Sequence, residues 1–158
     1  MGLNFSHKKA WTRYIQNKKI NLKMTEAFGP HLTLDLVGCS KEKLRDYNLH
    51  FEFLKKLPEM IGMTPITQPY VFPYSGLVPE DKGITGIVII AESHLSIHSF
   101  EEKGHTFIDM FSCKPFDTDL ALKFILDLFE PESYDMNLIQ RGKNFPRTEV
   151  PTYFEVYL

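Results

Sequence analysis

The sequence is poor in cysteine and has no long apolar run. Its 158 residues include only two cysteines, Cys39 and Cys113, which are too few for a secreted scaffold built on disulfides. No apolar stretch approaches the roughly 18 residues that a membrane-spanning helix needs, so we expect no membrane partner. Residues 1–25 lack the apolar core of a secretory signal. These absences favour a cytoplasmic protein whose thiols stay reduced.

Acidic residues are absent from the first 25 positions, which hold six Lys and Arg residues. The remainder has 12 basic against 20 acidic residues and is therefore acidic. We interpret residues 1–25 as a basic N-terminal arm and residues 26–158 as one domain. The arm could bind nucleic acid or an anionic surface, or form a solvated tail. The acidic domain argues against nucleic acid as a partner.

Hydrophobic periodicity predicts the element order β-α-β-β-β-β-α-β up to residue 142, with one further strand after it. Proline-rich residues 64–83 indicate an extended edge strand and a loop. Pro58 should kink or end the first helix early. The other predicted strands cover residues 31–37, 84–92, 94–100, 105–113, 134–142 and 152–158, and the helices cover residues 40–62 and 117–129. This order indicates an α+β fold, a two-layer α/β sandwich in which two helices cover one antiparallel sheet.

The sequence EEKG at residues 101–104 predicts a turn between two alternating strands. If the turn joins them, Phe100 lies opposite His105 and Ser93 lies beside Ser112. Cβ atoms of such directly paired residues are about 5 Å apart. The hairpin therefore brings Ser93 next to Cys113, twenty residues further along the chain.

Two serines and two histidines crowd the segment SHLSIH at residues 93–98. His94 and His98 would lie about 13 Å apart on a strand, so they cannot share a metal ion and we expect no metal. Ser93 and His98 fall on opposite faces of an unbroken strand, so a Ser–His nucleophile would need a bend. The simpler alternative is that these serines and histidines only make the ordinary hydrogen bonds of polar side chains in a strand and have no catalytic role. A third possibility is attack by the Ser93 hydroxyl on its own preceding carbonyl, which needs a bend and an oxyanion donor.

The segment GITGIVIIAESHLSIHSFEEKGHTFIDMFSC, with GPHLTLDLVGCSKEKL upstream, resembles the bacterial and archaeal S-adenosylmethionine decarboxylase proenzymes. The resemblance covers roughly residues 29–130. It implies a pyruvoyl-dependent enzyme of spermidine and polyamine synthesis that takes S-adenosylmethionine as its substrate.

The resemblance implies self-cleavage between Glu92 and Ser93. Ser93 would then become the covalent pyruvoyl cofactor, which forms a Schiff base with the substrate amine. The β chain before the cut and the α chain after it would stay together without a covalent link. His98 matches the histidine that serves processing, as the base of the elimination step. Thr85 matches a hydroxyl residue that assists processing.

The resemblance also assigns residues to decarboxylation and substrate binding. Cys113 matches the cysteine that returns a proton to the substrate carbon after CO2 leaves. Glu102 matches the carboxylate that holds the ribose hydroxyls, and Phe100 matches an aromatic residue of the substrate pocket. Phe72 and Tyr74 are the candidates for the ring that stacks on adenine.

The resemblance to the small members of this family implies a homodimer in which each active site contains residues of both subunits. Two alternatives remain open at the level of the sequence. The same cofactor would also decarboxylate an amino acid such as ornithine or arginine. A homologue that is never cleaved would instead be a non-catalytic binding protein.

Overall fold

The computed structural model describes residues 27–146. The N-terminal arm predicted for residues 1–25 and the strand predicted for residues 152–158 lie outside this range. The strands are β1 (Gly29–Val37), β2 (Tyr70–Tyr74), β3 (Gly83–Ile90), β4 (Ser93–Phe100), β5 (His105–Ser112) and β6 (Ser133–Arg141). The helices are α1 (Lys41–Leu44), α2 (Tyr47–Met60) and α3 (Thr118–Phe129), with a short 3-10 turn at Pro79–Asp81.

The six strands form one sheet in the order β2-β3-β4-β5-β1-β6. Every neighbouring pair is antiparallel, which confirms the predicted sheet. Strand β2 lies at one edge, as expected for a strand that contains Pro73, which has no amide donor. The prediction for β3 extended too far, because the strand ends at Ile90 and a two-residue turn, Ala91–Glu92, leads into β4.

Helices α2 and α3 cover one face of the sheet and enclose the hydrophobic core. Strand residues alternate between this face and the opposite one, as the period of two requires. The core includes Leu32, Leu34, Leu36, Leu54, Leu57, Leu95, Ile97, Ile108, Ile125 and Phe129. We call the opposite side, which no helix among the described residues covers, the open face. None of the helices in residues 27–146 is both long and apolar enough to span a membrane.

The first predicted helix is two helices in the structure. Asp46 separates them, because its side chain accepts a hydrogen bond from the Leu49 amide at 3.1 Å and so caps the start of α2. Pro58 does not end α2, which continues to Met60. Pro58 cannot donate to the Leu54 carbonyl, because it has no amide proton. Its own carbonyl accepts a hydrogen bond from the Met63 amide at 2.8 Å.

His50 of α2 is fully buried within a chain of hydrogen bonds beneath the sheet. Its Nδ1 donates to the Asp46 carbonyl at 2.8 Å, so its Nε2 accepts from the Ser99 hydroxyl. Thr106 in turn donates to Ser99. Burial lowers the pKa of His50 below its ordinary value of 6.5, against the opposing effect of Asp46. The neutral imidazole is therefore the form that fits the folded protein.

We expect this histidine to make folding stability depend on pH. Because its pKa is lower in the folded state, the unfolded state binds more protons below about pH 6.5. Its contribution is fully present above that pH and is lost as the pH falls toward the folded-state pKa. Thermal unfolding between pH 5 and pH 8, compared for wild type and His50→Gln, measures the effect. The variant should have the shallower pH dependence, whereas equal slopes would remove His50 as the cause.

Candidate active site

The Glu92–Ser93 peptide bond lies where the β3–β4 turn enters β4. Ile90 pairs with Ser93 across this two-residue turn, so the chain reverses at the bond that the sequence singles out. The predicted bend is present, and Ser93 itself has a positive φ of 157°, a backbone conformation that residues other than glycine rarely adopt. The hydroxyl therefore lies on a strained residue at the start of β4.

The backbone carbonyl and the side-chain carboxylate of Glu92 are held by different segments of the chain. Its carbonyl oxygen accepts a hydrogen bond from the Cys113 amide at 2.9 Å. Its carboxylate accepts hydrogen bonds from the Thr64 amide at 3.0 Å and hydroxyl at 3.4 Å. The carboxylate also lies 3.5 Å from the Lys114 ammonium, and the Glu92 side chain is 12% exposed. Sequence reasoning missed Thr64 and Lys114, because they lie in connecting segments with no periodic pattern.

Strands β4 and β5 pair in the predicted register. Phe100 lies opposite His105, and Ser93 lies opposite Ser112, so Cys113 follows directly at the end of β5. Gly29 of β1 packs closely against the end of β5. Only glycine fits there, because a Cβ atom would lie 1.9 Å from the Ser112 carbonyl oxygen. The structure therefore brings the predicted cleavage site and the predicted proton donor together.

The two thiols have different environments, and they form no disulfide. Cys39 is 5% exposed, as expected for a small buried hydrophobic residue. Burial raises the pKa of its thiol to about 11, in spite of a hydrogen bond with Thr106. Cys113 is only partly buried. Of the two, Cys113 is the cysteine that lies next to the Glu92–Ser93 bond.

His94 contacts Ser93 directly, with 3.1 Å between its Nδ1 and the hydroxyl oxygen. Burial lowers the pKa of His94, the charge of His31 lowers it further, and Asp109 has the opposite effect. His31 itself lies 3.2 Å from Asp109 and 3.4 Å from a guanidinium nitrogen of Arg141. No role was predicted for His94, because its neighbours His31 and Asp109 come from β1 and β5 and lie far from it along the chain.

The remaining candidate residues gather toward the opposite end of the sheet, on the open face. Thr85 and His98 are cross-strand partners, with 3.1 Å between the hydroxyl and Nδ1. Phe72 pairs with Thr85 on its other side, so these three residues form a row. Tyr74 and Phe100 belong to the next row, toward the β4–β5 turn. Both candidate adenine-stacking rings therefore lie near His98.

Glu102 lies in the β4–β5 turn beyond that row. Its carboxylate accepts a hydrogen bond from Lys41 at 2.5 Å and lies 3.5 Å from Lys82. The hydrogen bond from Lys41 lowers the pKa of Glu102, with a further contribution from Lys82. The side chain is thus an anion that can accept hydrogen bonds from hydroxyl groups.

The candidate residues form two groups, which lie far apart within one chain. We call Ser93, His94 and Cys113 the cleavage group, and Thr85, His98 and Glu102 the distal group. His98 lies five positions after Ser93 in β4, about 16 Å at the usual rise of a strand. Within residues 27–146, no set of three or more His, Cys, Asp or Glu side chains is arranged to hold a metal ion.

Comparisons with known proteins show the family to which the chain is similar. Residues 30–142 match the family model of S-adenosylmethionine decarboxylase. The S-adenosylmethionine decarboxylase proenzyme of Bacillus velezensis is 32% identical, over 74% of this chain and 88% of the relative. The proenzyme of the same name from Clostridium botulinum strain Loch Maree is 33% identical, over 73% of this chain and 95% of the relative.

The similarity extends to the three-dimensional structure. The crystal structure of the adenosylmethionine decarboxylase from Aquifex aeolicus matches with a TM-score of 0.63 and 25% sequence identity. The match covers 78% of this chain and 96% of that protein. The family match, over residues 30–142, includes β3, β4 and β5, the strands that carry most of both groups. The chain belongs to the S-adenosylmethionine decarboxylase family of enzymes.

Proposed function

We propose that the chain cleaves itself between Glu92 and Ser93 and then decarboxylates S-adenosylmethionine. The decarboxylase activity follows from membership of the family. The observation that supports self-cleavage is the hydrogen bond from the Cys113 amide to the Glu92 carbonyl oxygen. That donor faces the oxygen that would become negative if the Ser93 hydroxyl attacked the carbonyl carbon.

The residues present fit the pyruvoyl group that the family implies. A serine at the cut can supply all three carbons of that group, and Ser93 is at the cut. When present, the pyruvoyl group supplies the electron sink for the loss of CO2. Cys113 follows the residue paired with Ser93, so its thiol would stand beside the reacting carbon and return the proton. The pyruvoyl group and these two roles are part of the proposal.

We propose further that the active unit is a homodimer with composite sites. The open face carries exposed rings and aliphatic side chains, which a second copy would bury. They include Tyr70, Phe72, Tyr74, Phe107 and Ile139. Suppose that the two open faces pack together around a two-fold axis that lies between them and runs perpendicular to the strands. The strands of one sheet would then run in the opposite direction to the same strands of the other sheet. The cleavage group of each chain would then meet the distal group of its partner.

The distal group would complete the site in trans. His98, with Thr85 hydrogen-bonded to it, would take the proton from Cα of Ser93 in the elimination step. Glu102 would accept hydrogen bonds from the ribose hydroxyls, and Phe72 or Tyr74 would stack on adenine. The product would feed the aminopropyl transfers of polyamine synthesis. We place the protein in the cytoplasm, where the Cys113 thiol stays reduced.

Denaturing electrophoresis and a substrate panel test the proposal. The purified full-length chain should give two fragments, residues 1–92 and 93–158, and the second should carry a pyruvoyl group by mass. It should release CO2 from carboxyl-labelled S-adenosylmethionine and not from ornithine or arginine. The named relatives give no support to these two amino acids as substrates. A single uncleaved band that lacks activity would refute self-cleavage and favour a non-catalytic homologue.

A further inference from the structure

We propose that His94 is the base that takes the hydroxyl proton of Ser93 during self-cleavage. The inference rests on the proposed cleavage between Glu92 and Ser93 and adds a catalytic residue to it. Within this chain, His94 Nδ1 lies 3.1 Å from Ser93 Oγ, a hydrogen-bond distance. A serine hydroxyl is a weak nucleophile until an adjacent base accepts its proton.

Hydrogen bonds hold both the carbonyl group and the side chain of Glu92, the residue before the bond that would be cleaved. The Cys113 amide is 2.9 Å from the carbonyl oxygen of Glu92. The Glu92 carboxylate is held by the amide and hydroxyl of Thr64 and faces Lys114. The electrophile is therefore polarised and anchored next to the nucleophile, and His94 touches the nucleophile.

The surroundings of His94 keep its imidazole neutral at neutral pH. Burial lowers the pKa of His94, and so do the nearby charges of His31 and Arg141, while Asp109 acts in the opposite direction. A neutral ring has one nitrogen with a free lone pair. With Nδ1 in that state, the Ser93 hydroxyl donates to it, which is the arrangement that proton transfer needs.

The step balances without any co-reactant. The hydroxyl proton moves to His94 Nδ1 as Ser93 Oγ bonds to the carbonyl carbon of Glu92. The resulting oxyanion is stabilised by the Cys113 amide. The carbon–nitrogen bond then breaks, and His94 returns the proton to the leaving nitrogen of Ser93. The product is an ester between Glu92 and the Ser93 side chain, with the same atoms and electrons as the peptide.

His98 cannot take this role within its own chain. It lies five residues further along β4, about 16 Å away, on the open face. In the composite site it would belong to the partner and act after the ester has formed. His94 and His98 would thus serve consecutive steps, and a variant of each should stop the reaction at a different species.

Time courses of cell-free synthesis of the full-length chain test this assignment. His94→Asn keeps an acceptor near the position of Nδ1 but cannot take a proton. We expect it to cleave at least roughly 100-fold more slowly, the usual contribution of a general base. Treatment with hydroxylamine, which cleaves esters, should leave it as one intact chain. His98→Ala should instead accumulate the ester and split on treatment with hydroxylamine.

The matched control is His105→Asn, because His105 lies at the other end of the same hairpin and bonds to the Lys103 carbonyl. It should cleave at the wild-type rate. Cleavage of His94→Asn at the wild-type rate, or accumulation of its ester, would overturn the role of His94. Failure of the wild-type chain to cleave would instead overturn the proposed function itself.

A second pair of variants separates catalysis from a loss of packing. A thiol ionises far more readily than a hydroxyl, with an ordinary pKa of about 8.5. Exchange of His94 for Asn should therefore slow acyl transfer much less when Ser93→Cys is already present. The rates of Ser93→Cys with and without His94→Asn give this ratio. An equally large effect in both backgrounds would mean that His94 only supports the local structure.

Discussion

Ser93→Ala should leave the chain intact and without decarboxylase activity. The hydroxyl is the only atom of Ser93 that can attack the Glu92 carbonyl, and alanine has none. Without the cut no pyruvoyl group forms, so activity should fall below detection rather than decline partially. The fold should persist, because Ser93 is partly exposed at the end of β4.

Denaturing electrophoresis and release of labelled CO2 measure the two expected losses, and thermal unfolding measures the fold. Ser96→Ala is the matched control, since Ser96 is a partly exposed serine of the same strand. It should be cleaved and active. Activity in Ser93→Ala comparable to that of wild type would be incompatible with a cofactor made from this residue.

The sequence was sufficient where structure depends on local pattern. Alternation of apolar residues and the EEKG turn predicted the β4–β5 hairpin, and the structure confirms its register from Ser93–Ser112 to Phe100–His105. A one-residue slip would move every apolar side chain of β4 to the open face, so few registers are possible. The neighbourhood of Ser93 and Cys113 follows from that register alone.

Contacts between segments without a periodic pattern of apolar residues could not be predicted from the sequence. Thr64 reaches Glu92 across 28 positions from a connecting segment, and its hydrogen bonds depend on where that segment packs. The break between α1 and α2 was missed because the Asp46 cap outweighs the continuous apolar pattern around it. Strand periodicity placed Ser93 and His98 on opposite faces of a strand. That prediction did not include their separation along β4, which divides the cleavage group from the distal group.

That separation leads to the second large effect, which is complementation between two inactive chains. Ser93→Ala lacks the nucleophile but keeps the distal group, whereas His98→Ala keeps the nucleophile. In a mixed dimer with composite sites, one site would combine Ser93 of one chain with His98 of the other. Co-expression should then restore about one quarter of wild-type activity, because half of the dimers would be mixed and each would hold one complete site.

The cleavage pattern in this experiment is as informative as the activity. Only the His98→Ala chain should be cut, and only in the presence of the Ser93→Ala chain. The matched control pairs Ser93→Ala with Cys113→Ala. Since both changes fall in the cleavage group, no mixed dimer has a complete site and activity should stay absent. No restoration in the test pair would mean that His98 serves Ser93 of its own chain, whereas restoration in the control would mean that Cys113 acts on Ser93 of the other chain. In the first case β4 would have to bend between Ser93 and His98, which lie about 16 Å apart along the extended strand.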